Sequence, residues 1–361
     1  MKATRSDALV TVIVAAYNRP DTLAVAIESV LAQTEPRWRL LIIGDRCDSR
    51  IEQVVTQYRD DRIEYVNLAE RWGEQSGPNS VGMALADTEY LAFLNHDDVF
   101  LQDHLSIALS HFEKKGQIDF YFARTAFVCP IRDSAGVWQA VPTEVGPEIT
   151  RFAPAFALKA NVFEPCSAWV FRRTLYERIG PWRSARSLYR TPLQDWMLRL
   201  WRSGAPCVFG DEISVIKIWR PPPAGVRDKQ PKQRPPGGSY SHRSPVHDYL
   251  RSLVRDFEAP AARTRLVRDM RQDGPRRTHE FLSGPGQLRE RFLYGLLVNR
   301  LGAGIYRAMG WDTFSLYARL VGRKRGATLA KLSLDRTGME LPAVPDLDTA
   351  IRQARHGLVS R

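Results

Sequence analysis

Hydrophobic residues in the first third of the chain fall into short continuous runs separated by amphipathic segments. The run "ALVTVIVAAYN" at 8–18 is rich in β-branched residues, which is typical of a strand covered on both faces. Similar runs follow at 38–45, 62–68 and 89–95, and the segments between them have apolar residues at helical spacing. Strands and helices that alternate in this way predict an α/β fold with a mixed, mostly parallel sheet flanked by helices.

The middle of the chain carries shorter and less regular elements. Residues 117–180 alternate strand-like pieces with turns, and 118–131 and 167–173 are the clearest strands among them. "LQDWMLRLWRSG" at 193–204 predicts an amphipathic helix, and 206–220 predicts a last pair of strands. In a sheet of this kind, ligands bind beyond the carboxyl ends of the strands.

Composition and charge divide the chain into three parts. Residues 1–220 form the predicted α/β domain and carry 26 Lys and Arg against 27 Asp and Glu. Residues 221–245 are a basic loop or lid rich in Pro and Gly, and 246–361 are predicted to be mostly helical, with a poorly ordered end of about 25 residues. Because residues 221–361 carry 26 basic against 13 acidic residues, the positive excess is C-terminal and indicates an anionic partner.

The remaining composition narrows the classes of protein. A sequence pI of about 9.7 raises the hypothesis of a nucleic-acid-binding protein, but no zinc pattern or base-stacking aromatic strand supports it, and we expect no nucleic-acid partner. The absence of GxGxxG and GxxxxGK[ST] argues against dinucleotide-dependent oxidoreductases and P-loop enzymes, whereas a nucleotidyltransferase stays an alternative. Four widely spaced cysteines, no signal peptide and no run of about 20 apolar residues predict a cytoplasmic chain.

Two adjacent carboxylates, Asp97 and Asp98, follow the buried run that ends at Leu94. Such a pair suits a divalent cation, Mg²⁺ or Mn²⁺, which would neutralise a diphosphate. In the alternative interpretation, Asp97 caps the next helix and Asp98 is solvated.

Tyr17 and Asp45 end two further strands, so they are predicted at the same edge, where a ring face and a carboxylate can hold a nucleotide base. Asp45 as an ordinary turn residue is the alternative.

Taken together, these motifs resemble family-2 glycosyltransferases with a Rossmann-like GT-A fold, over residues 8–220. The resemblance is carried by "VTVIVAAYNRPDTLAVAIESVLAQT", "LLIIGDRCDS", "GPNSVGMALADTEYLAFLNHDDVFLQDHL", "PCSAWVFRRTLYERIGPW" and "LQDWMLRLWRSG", in that order. It implies an inverting enzyme that moves a sugar from a nucleoside diphosphate, with UDP as the default, to a hydroxyl of a glycan or lipid-linked acceptor in polysaccharide biosynthesis.

The resemblance also implies roles for individual residues. Asp45 would bind the uracil ring, Asp97 would be the principal metal ligand with Asp98 beside it, and Asp195 would be the general base. The residues implied to contact the nucleotide-sugar are Ala15, Tyr17, Asp45, Asn95 and Asp97.

The chain departs from the family pattern at two positions. Asn95 stands where the metal motif often begins with Asp, and Gln194 stands where the base motif often has Glu. For Asp195, the alternative to the base is an acid at a helix N-terminus, stabilised by the helix dipole. Trp182 and Trp196 are candidates for stacking on the acceptor sugar, with packing in the core as their alternative.

The basic C-terminal region leaves two interpretations open. The segment "QLRERFLYGLLVNRLGAGIYRAMGWDTF" at 287–314 sets apolar residues near helical spacing, with arginines between them. The apolar stripe either docks on the catalytic domain or lies on an anionic membrane face, where acceptor lipids are held. The second interpretation predicts a cytoplasmic protein that is peripheral on the inner face of the membrane.

Overall fold

The predicted alternation of strands and helices is present in the N-terminal part of the chain. The computed structural model describes residues 5–115, 117–132, 138–146, 165–218, 251, 255–268, 300–320, 322–326 and 343–359. The first strands are β1 (Val10–Ala16), β2 (Trp38–Gly44), β3 (Ile63–Asn67) and β4 (Tyr90–Phe93). They run parallel in the order β3, β2, β1, β4. The helices α1 (Pro20–Leu31), α2 (Ser49–Thr56) and α3 (Ser76–Leu85) connect them.

Local sequence explains why these elements form where they do. All seven residues of β2 are buried, as a continuous apolar run requires when helices cover both faces of a parallel sheet. Pro20 opens α1, where its missing N–H costs nothing. The Asp48 side chain accepts the Arg50 N–H at 3.0 Å and caps α2.

The second half of the chain extends the same sheet. Its elements are β5 (Asp98–Phe100), α4 (His104–Lys115), β6 (Phe120–Arg132), β7 (Trp138–Gly146), β8 (Trp169–Arg172), α5 (Arg173–Ile179), α6 (Pro192–Arg202) and β9 (Cys207–Ile218). The sheet order continues from β4 through β8, β6 and β9 to β5, and β7 pairs with β6. Six of the nine strands found among the described residues point the same way, which confirms the predicted mixed, mostly parallel sheet.

Two details of the sheet differ from the prediction. The predicted strand pair at 206–220 is one strand, β9, because its register against β6 shifts on both sides of Arg124 and so absorbs a bend without a chain reversal. Asp98, predicted in a loop, is the first residue of β5, which pairs antiparallel with β9. No local signal at 98–100 indicates this strand, because its partner lies more than a hundred residues away.

The described parts of the C-terminal region pack on the α/β domain at three separate places. The helical stretch 255–268 contributes to a hydrophobic cluster with residues of α1, β5 and β9. Helix α7 (Arg300–Met309), followed by α8 (Thr313–Leu320), brings Tyr306 into the main core. Helix α9 (Leu347–Val359) packs on α3 and β3.

The order of the last residues also differs from the prediction. The prediction of a poorly ordered terminus is wrong for α9, whose Ala350 and Ala354 lie one turn apart and are buried against β2 and β3. Leu347, Ile351 and Leu358 pack partly buried on the same cluster, so apolar residues at helical spacing were the available signal for this face. The predicted loop at 221–245 lies outside the described residues. Within the described residues, no helix has the length and apolar character needed to cross a bilayer.

Candidate functional site

Asp45 lies directly after β2, at the predicted edge of the sheet. Its carboxylate accepts the backbone N–H groups of Trp72 and Gly73 at 2.6 and 2.8 Å, so it fixes the loop that precedes α3. The side chain is buried, and this burial raises its pKa to about 6, although the two N–H donors act in the opposite direction. Asp45 is therefore a preorganised acceptor rather than an ordinary exposed turn residue.

Tyr17 follows β1 on the neighbouring strand and has a cation above its ring. The Arg71 guanidinium carbon lies 4.4 Å from the centroid of the Tyr17 ring. The next residue, Asn18, has a φ of 43°, a left-handed conformation that asparagine tolerates, and its side chain accepts the Asp48 N–H at 3.0 Å. The turn after β1 is thus held against the start of α2, and Tyr17 lies in the same loop region as the segment fixed by Asp45.

The segment Asn95–Asp98 connects β4 to β5 beside β1. Nδ1 of His96 lies 2.9 Å from the Ala15 carbonyl oxygen, and because a carbonyl only accepts, this nitrogen carries the proton. Burial lowers the pKa of His96, which favours the neutral ring. The Asn95 N–H donates to Ser167 Oγ at 3.0 Å. Ala15 and Asn95, both predicted nucleotide contacts, therefore take part in the bonds that shape this edge.

Asp98 is fully buried, and its carboxylate forms an ion pair and hydrogen bonds with side chains of the protein. Its Oδ1 accepts from the Lys217 ammonium at 2.8 Å, and its Oδ2 accepts from Ser167 Oγ at 2.6 Å and Asn95 Nδ2 at 2.8 Å. Burial alone would lower the pKa of Lys217, but the carboxylates of Asp98 and Asp97 outweigh burial and raise the pKa above its usual value. Lys217 is therefore a charged residue in a buried ion pair.

Asp97 lies beside this buried pair and is partly exposed. One of its oxygens accepts from Arg19 Nη1 at 2.7 Å, and the other lies 3.9 Å from Lys217 Nζ. Half of the Arg19 side chain is exposed, so this contact is a surface ion pair that can open. Each acid of the predicted metal motif thus has a cationic neighbour from the chain itself.

These contacts test whether a divalent metal fits the predicted ligands. Mg²⁺ and Mn²⁺ need carboxylate oxygens with lone pairs directed at the metal. Both oxygens of Asp98 already accept hydrogen bonds, and removing Lys217 from them would leave a buried ammonium without a counterion. No group of three or more His, Cys, Asp or Glu side chains suited to a metal occurs among the described residues. The predicted donor set of Asp97 and Asp98 does not fit a metal ion in this arrangement.

Asp195 lies in the first turn of α6, behind a complete capping box. Thr191 Oγ1 accepts the Gln194 N–H, and the Gln194 side chain accepts the Thr191 N–H, each at 3.2 Å. Glutamine serves this cap as well as glutamate does, which accounts for Gln194 in place of the family's usual acid. The buried Asp195 carboxylate accepts from Arg199 Nε at 2.9 Å and lies 3.4 Å from Arg183 Nη1.

Hydrogen bonds from backbone N–H groups to side-chain oxygens join the Asp195 side of the protein to the Asp45 side. The Ala185 N–H donates to Glu74 Oε1 at 2.9 Å, and the Trp182 N–H donates to Ser80 Oγ at 3.0 Å. Glu74 directly follows Gly73, one of the two residues that Asp45 holds. Burial raises the pKa of Glu74. A continuous path of short bonds therefore runs from Asp45 to the 182–185 segment.

The two predicted acceptor tryptophans belong to the core. Trp196 is fully buried and Trp182 nearly so. Both rings pack against Trp169 of β8, with centroids 5.5 and 5.7 Å away, and Trp196 Nε1 donates to the Gly180 carbonyl at 3.1 Å. Neither ring offers a free face to a sugar in this structure, so the packing alternative describes them and the prediction of acceptor stacking is not supported.

Three residues at this edge were not predicted from the sequence. Lys217 is the single charge in the run "ISVIKI" at 213–218, the last part of β9, and that isolation was the available signal. Arg19 directly follows Tyr17 and Asn18 in the "YNR" turn. The role of Glu74 had no local signal, because its partner Ala185 lies more than a hundred residues later in the chain.

Comparison with known proteins identifies the domain. The model of the family described as "Glycosyl transferase family 2" matches residues 11–180. Protein CgeD of Bacillus subtilis (strain 168) is 32% identical over 126 residues, which are 33% of this chain and 30% of CgeD. The enzyme named UDP-Glc:alpha-D-GlcNAc-diphosphoundecaprenol beta-1,3-glucosyltransferase WfgD of Escherichia coli is 30% identical over 104 residues, which are 29% of this chain and 41% of WfgD.

Solved structures give a more distant likeness. The crystal structure of S. aureus TarS 1-349 in complex with UDP has a TM-score of 0.46 and 18% identity, and the likeness covers 58% of this chain and 60% of that one. The chain matches less than half the length of CgeD and WfgD.

Proposed function

Because residues 11–180 make this chain a member of glycosyl transferase family 2, we propose that it transfers a sugar from a nucleoside diphosphate, with UDP as the default, to an acceptor hydroxyl. The observation that carries the proposal is the bonded path from Asp45 to the 182–185 segment beside Asp195. This path links a preorganised carboxylate suited to a nucleotide base with a carboxylate suited to proton removal, across the edge where α/β sheets bind ligands.

Asp45 and Tyr17 are the proposed contacts of the base. A uracil ring offers an N–H to a carboxylate and a flat face to an aromatic ring, and both partners are held in place before the ligand arrives. Arg71 already lies against the Tyr17 ring and moves or stacks when the base enters. Asn95 and the Ala15 backbone complete the proposed donor side of the cleft, next to the ribose.

Asp195 is the proposed general base. The acceptor hydroxyl oxygen bonds to the anomeric carbon as the bond from that carbon to the diphosphate oxygen breaks, and the hydroxyl proton passes to the Asp195 carboxylate. Arg199 holds one carboxylate oxygen in a fixed position. Arg183 covers the other oxygen only loosely, with more than half of its side chain exposed, so the acceptor can displace it.

The acceptor is proposed to be a glycan or a lipid-linked glycan. The name of WfgD describes transfer from UDP-Glc to a diphosphoundecaprenol-linked sugar, and we extend that substrate class to this chain.

An exposed apolar surface supports a lipid-bound acceptor. Leu316 and Leu320 lie one turn apart on α8 and are exposed, as is Trp311 just before it, and exposed Arg319 lies on the same helix. Such a surface suits peripheral contact with an anionic bilayer.

The position of this surface connects it to the proposed base. Tyr306 of α7 lies beside Trp201 of α6, with ring centroids 6.5 Å apart, and α6 is the helix that carries Asp195. The short link between α7 and α8 keeps the apolar surface close to this contact. A lipid-linked acceptor held at the bilayer would therefore approach from the Asp195 side. Both open interpretations of the C-terminal region contribute, since α7 docks and α8 is exposed.

A donor screen tests the proposed activity. The purified chain is incubated with UDP-, GDP- and dTDP-linked sugars, and release of the nucleoside diphosphate is measured. We expect release above the protein-free rate for UDP-sugars, and loss of it in Asp45→Ala, which removes the base contact and the loop anchor. Exposed Asp61→Asn is the matched control and should keep the release rate. No release from any donor, together with a salt-sensitive shift of DNA, would instead support a nucleic-acid-binding protein.

A further inference from the structure

Lys217 and Asp98 form a pair that the sheet itself builds. They are direct partners in the antiparallel register of β5 and β9, so their side chains emerge on the same face of the sheet. The ammonium lies 2.8 Å from Asp98 Oδ1 and 3.9 Å from Asp97 Oδ1. The Asp98 side chain is 0% exposed and that of Lys217 is 11% exposed. Because the backbones of β5 and β9 pair at these residues and both side chains are nearly buried, this contact does not open as a surface ion pair would.

The charges at this edge already balance. Two carboxylates, Asp97 and Asp98, face two cations, Lys217 and Arg19. A divalent cation would add two positive charges to this neutral group and would have to displace a buried ammonium from its counterion. Asn95 completes the arrangement, because it donates to Asp98 through its amide, which a carboxylate at that position could not do.

We propose that Lys217 is a built-in counterion that takes the place of a divalent metal ion at Asp97 and Asp98, so that this chain binds a nucleoside diphosphate without metal. The statement about the diphosphate rests on the proposed function, whereas the exclusion of metal by Lys217 does not. The half-exposed Arg19 is then the cation that can leave Asp97 and meet the diphosphate. Negative charge that grows on the leaving diphosphate is met by this guanidinium.

Direct titration with Mn²⁺ tests the exclusion. Free Mn²⁺ is followed by electron paramagnetic resonance, with and without UDP. The wild-type chain should show no saturable Mn²⁺ site in either condition, beyond the Mn²⁺ that UDP binds in the absence of protein. Lys217→Met should create a site, because Asp98 loses its counterion, and the double variant Asp98→Asn with Lys217→Met should lose that site again. Lys217→Arg keeps the charge and should bind no Mn²⁺.

Each outcome decides for or against the proposal. Saturable binding by the wild type that disappears in Asp97→Asn would overturn it, as would a folded Lys217→Met that gains no site. If Lys217→Met is too unstable for the titration, its thermal unfolding with Mn²⁺ and with chelator is measured instead. A higher Tm in Mn²⁺ for this variant, but not for the wild type, supports the counterion role, and an unchanged Tm contradicts it.

Calorimetry with UDP separates this inference from the proposed function. Equal UDP affinity in chelator and in Mn²⁺ is the expected result. Affinity that requires Mn²⁺ would overturn the counterion inference while supporting the nucleotide site. No UDP binding in either condition would overturn the diphosphate part together with the proposed donor, and the Mn²⁺ titration of Lys217→Met would still decide the metal question.

Discussion

The backbone N–H of Ala185 donates to the Glu74 carboxylate at 2.9 Å. This single bond joins the segment that leads to α6 with the segment that leads to α3. Glu74 also accepts from the N–H and the hydroxyl of Ser76, so one buried carboxylate organises both sides. The proposed base and the proposed nucleotide site are therefore held together by a residue that has no direct part in the chemistry.

Removing the Glu74 carboxylate should separate these two sides. We expect Glu74→Ala to lower the free energy of unfolding by about 1–3 kcal/mol, because the Ala185 and Ser76 donors lose their buried acceptor. Transfer should fall more than UDP binding does, since Asp45 still anchors Trp72 and Gly73. Urea unfolding measures the free energy of unfolding, UDP release measures transfer, and calorimetry measures UDP binding.

The neighbouring exposed acid provides the control for this experiment. Glu70→Ala alters a charge on the same loop region without a buried contact and should change neither quantity. Equal losses in Glu74→Ala and Glu70→Ala would show that charge, rather than the Glu74–Ala185 bond, is responsible.

Nucleotide-base binding should depend on pH through Asp45. Its pKa is raised to about 6, so the carboxyl is ionised above this pH and gains a proton below it. A protonated carboxyl is a poorer acceptor for the base N–H, and affinity should fall by about tenfold for each pH unit well below the pKa. Uridine is the ligand to titrate, because it has no phosphate to protonate in this range.

An amide in the same place separates this effect from others. Asp45→Asn cannot ionise, so its weaker uridine binding should not vary across the same pH range. A wild-type affinity that stays level through pH 6 would contradict the assignment of Asp45 to the base.

Tyr17 should contribute through its ring rather than its hydroxyl. We expect Tyr17→Ala to weaken UDP binding by about 1–3 kcal/mol, the usual cost of losing a stacking partner of a base. Tyr17→Phe keeps the ring and should bind as the wild type does. Calorimetry with UDP measures the affinity of both variants. A Tyr17→Phe variant that binds UDP as weakly as Tyr17→Ala would argue against stacking.

The exposed surface of α8 should bind anionic membranes. Trp311 is 67% exposed and Leu320 is 75% exposed, so replacing both with serine removes apolar surface at little cost in folding. We expect the double variant to lose co-sedimentation with vesicles that contain phosphatidylserine, while the wild type binds them more weakly as salt rises. Val344→Ser, an exposed apolar position before α9, is the control and should bind normally.

The sequence predicts the parallel half of this fold well, because each of its strands is a continuous apolar run. The same pattern places Tyr17, Asp45 and Asn95 at one edge, since residues that follow parallel strands meet there. It does not predict the partner of Asp98, because Lys217 lies 119 residues later and reaches Asp98 only through the pairing of β5 with β9. Lys217 lies 2.8 Å from an Asp98 oxygen and 3.9 Å from an Asp97 oxygen, so its charge offsets the repulsion between the two acids.

The tryptophans show a different limit of local patterns. A tryptophan next to a polar segment is compatible with a sugar site and with a core position. The position of β8 decides between a sugar site and a core position, because its Trp169 supplies the ring on which both Trp182 and Trp196 pack. Burial set by a distant strand leaves no mark in the nearby sequence.

The central claim concerns the role of Asp195, and one comparison tests it most directly. UDP release is measured for the wild type and Asp195→Asn with the UDP-sugar that reacts fastest, and UDP affinity is measured for both. We predict that Asp195→Asn binds UDP as the wild type does and releases it slower by a factor on the order of 10²–10⁴. A variant that releases UDP at the wild-type rate would contradict the account.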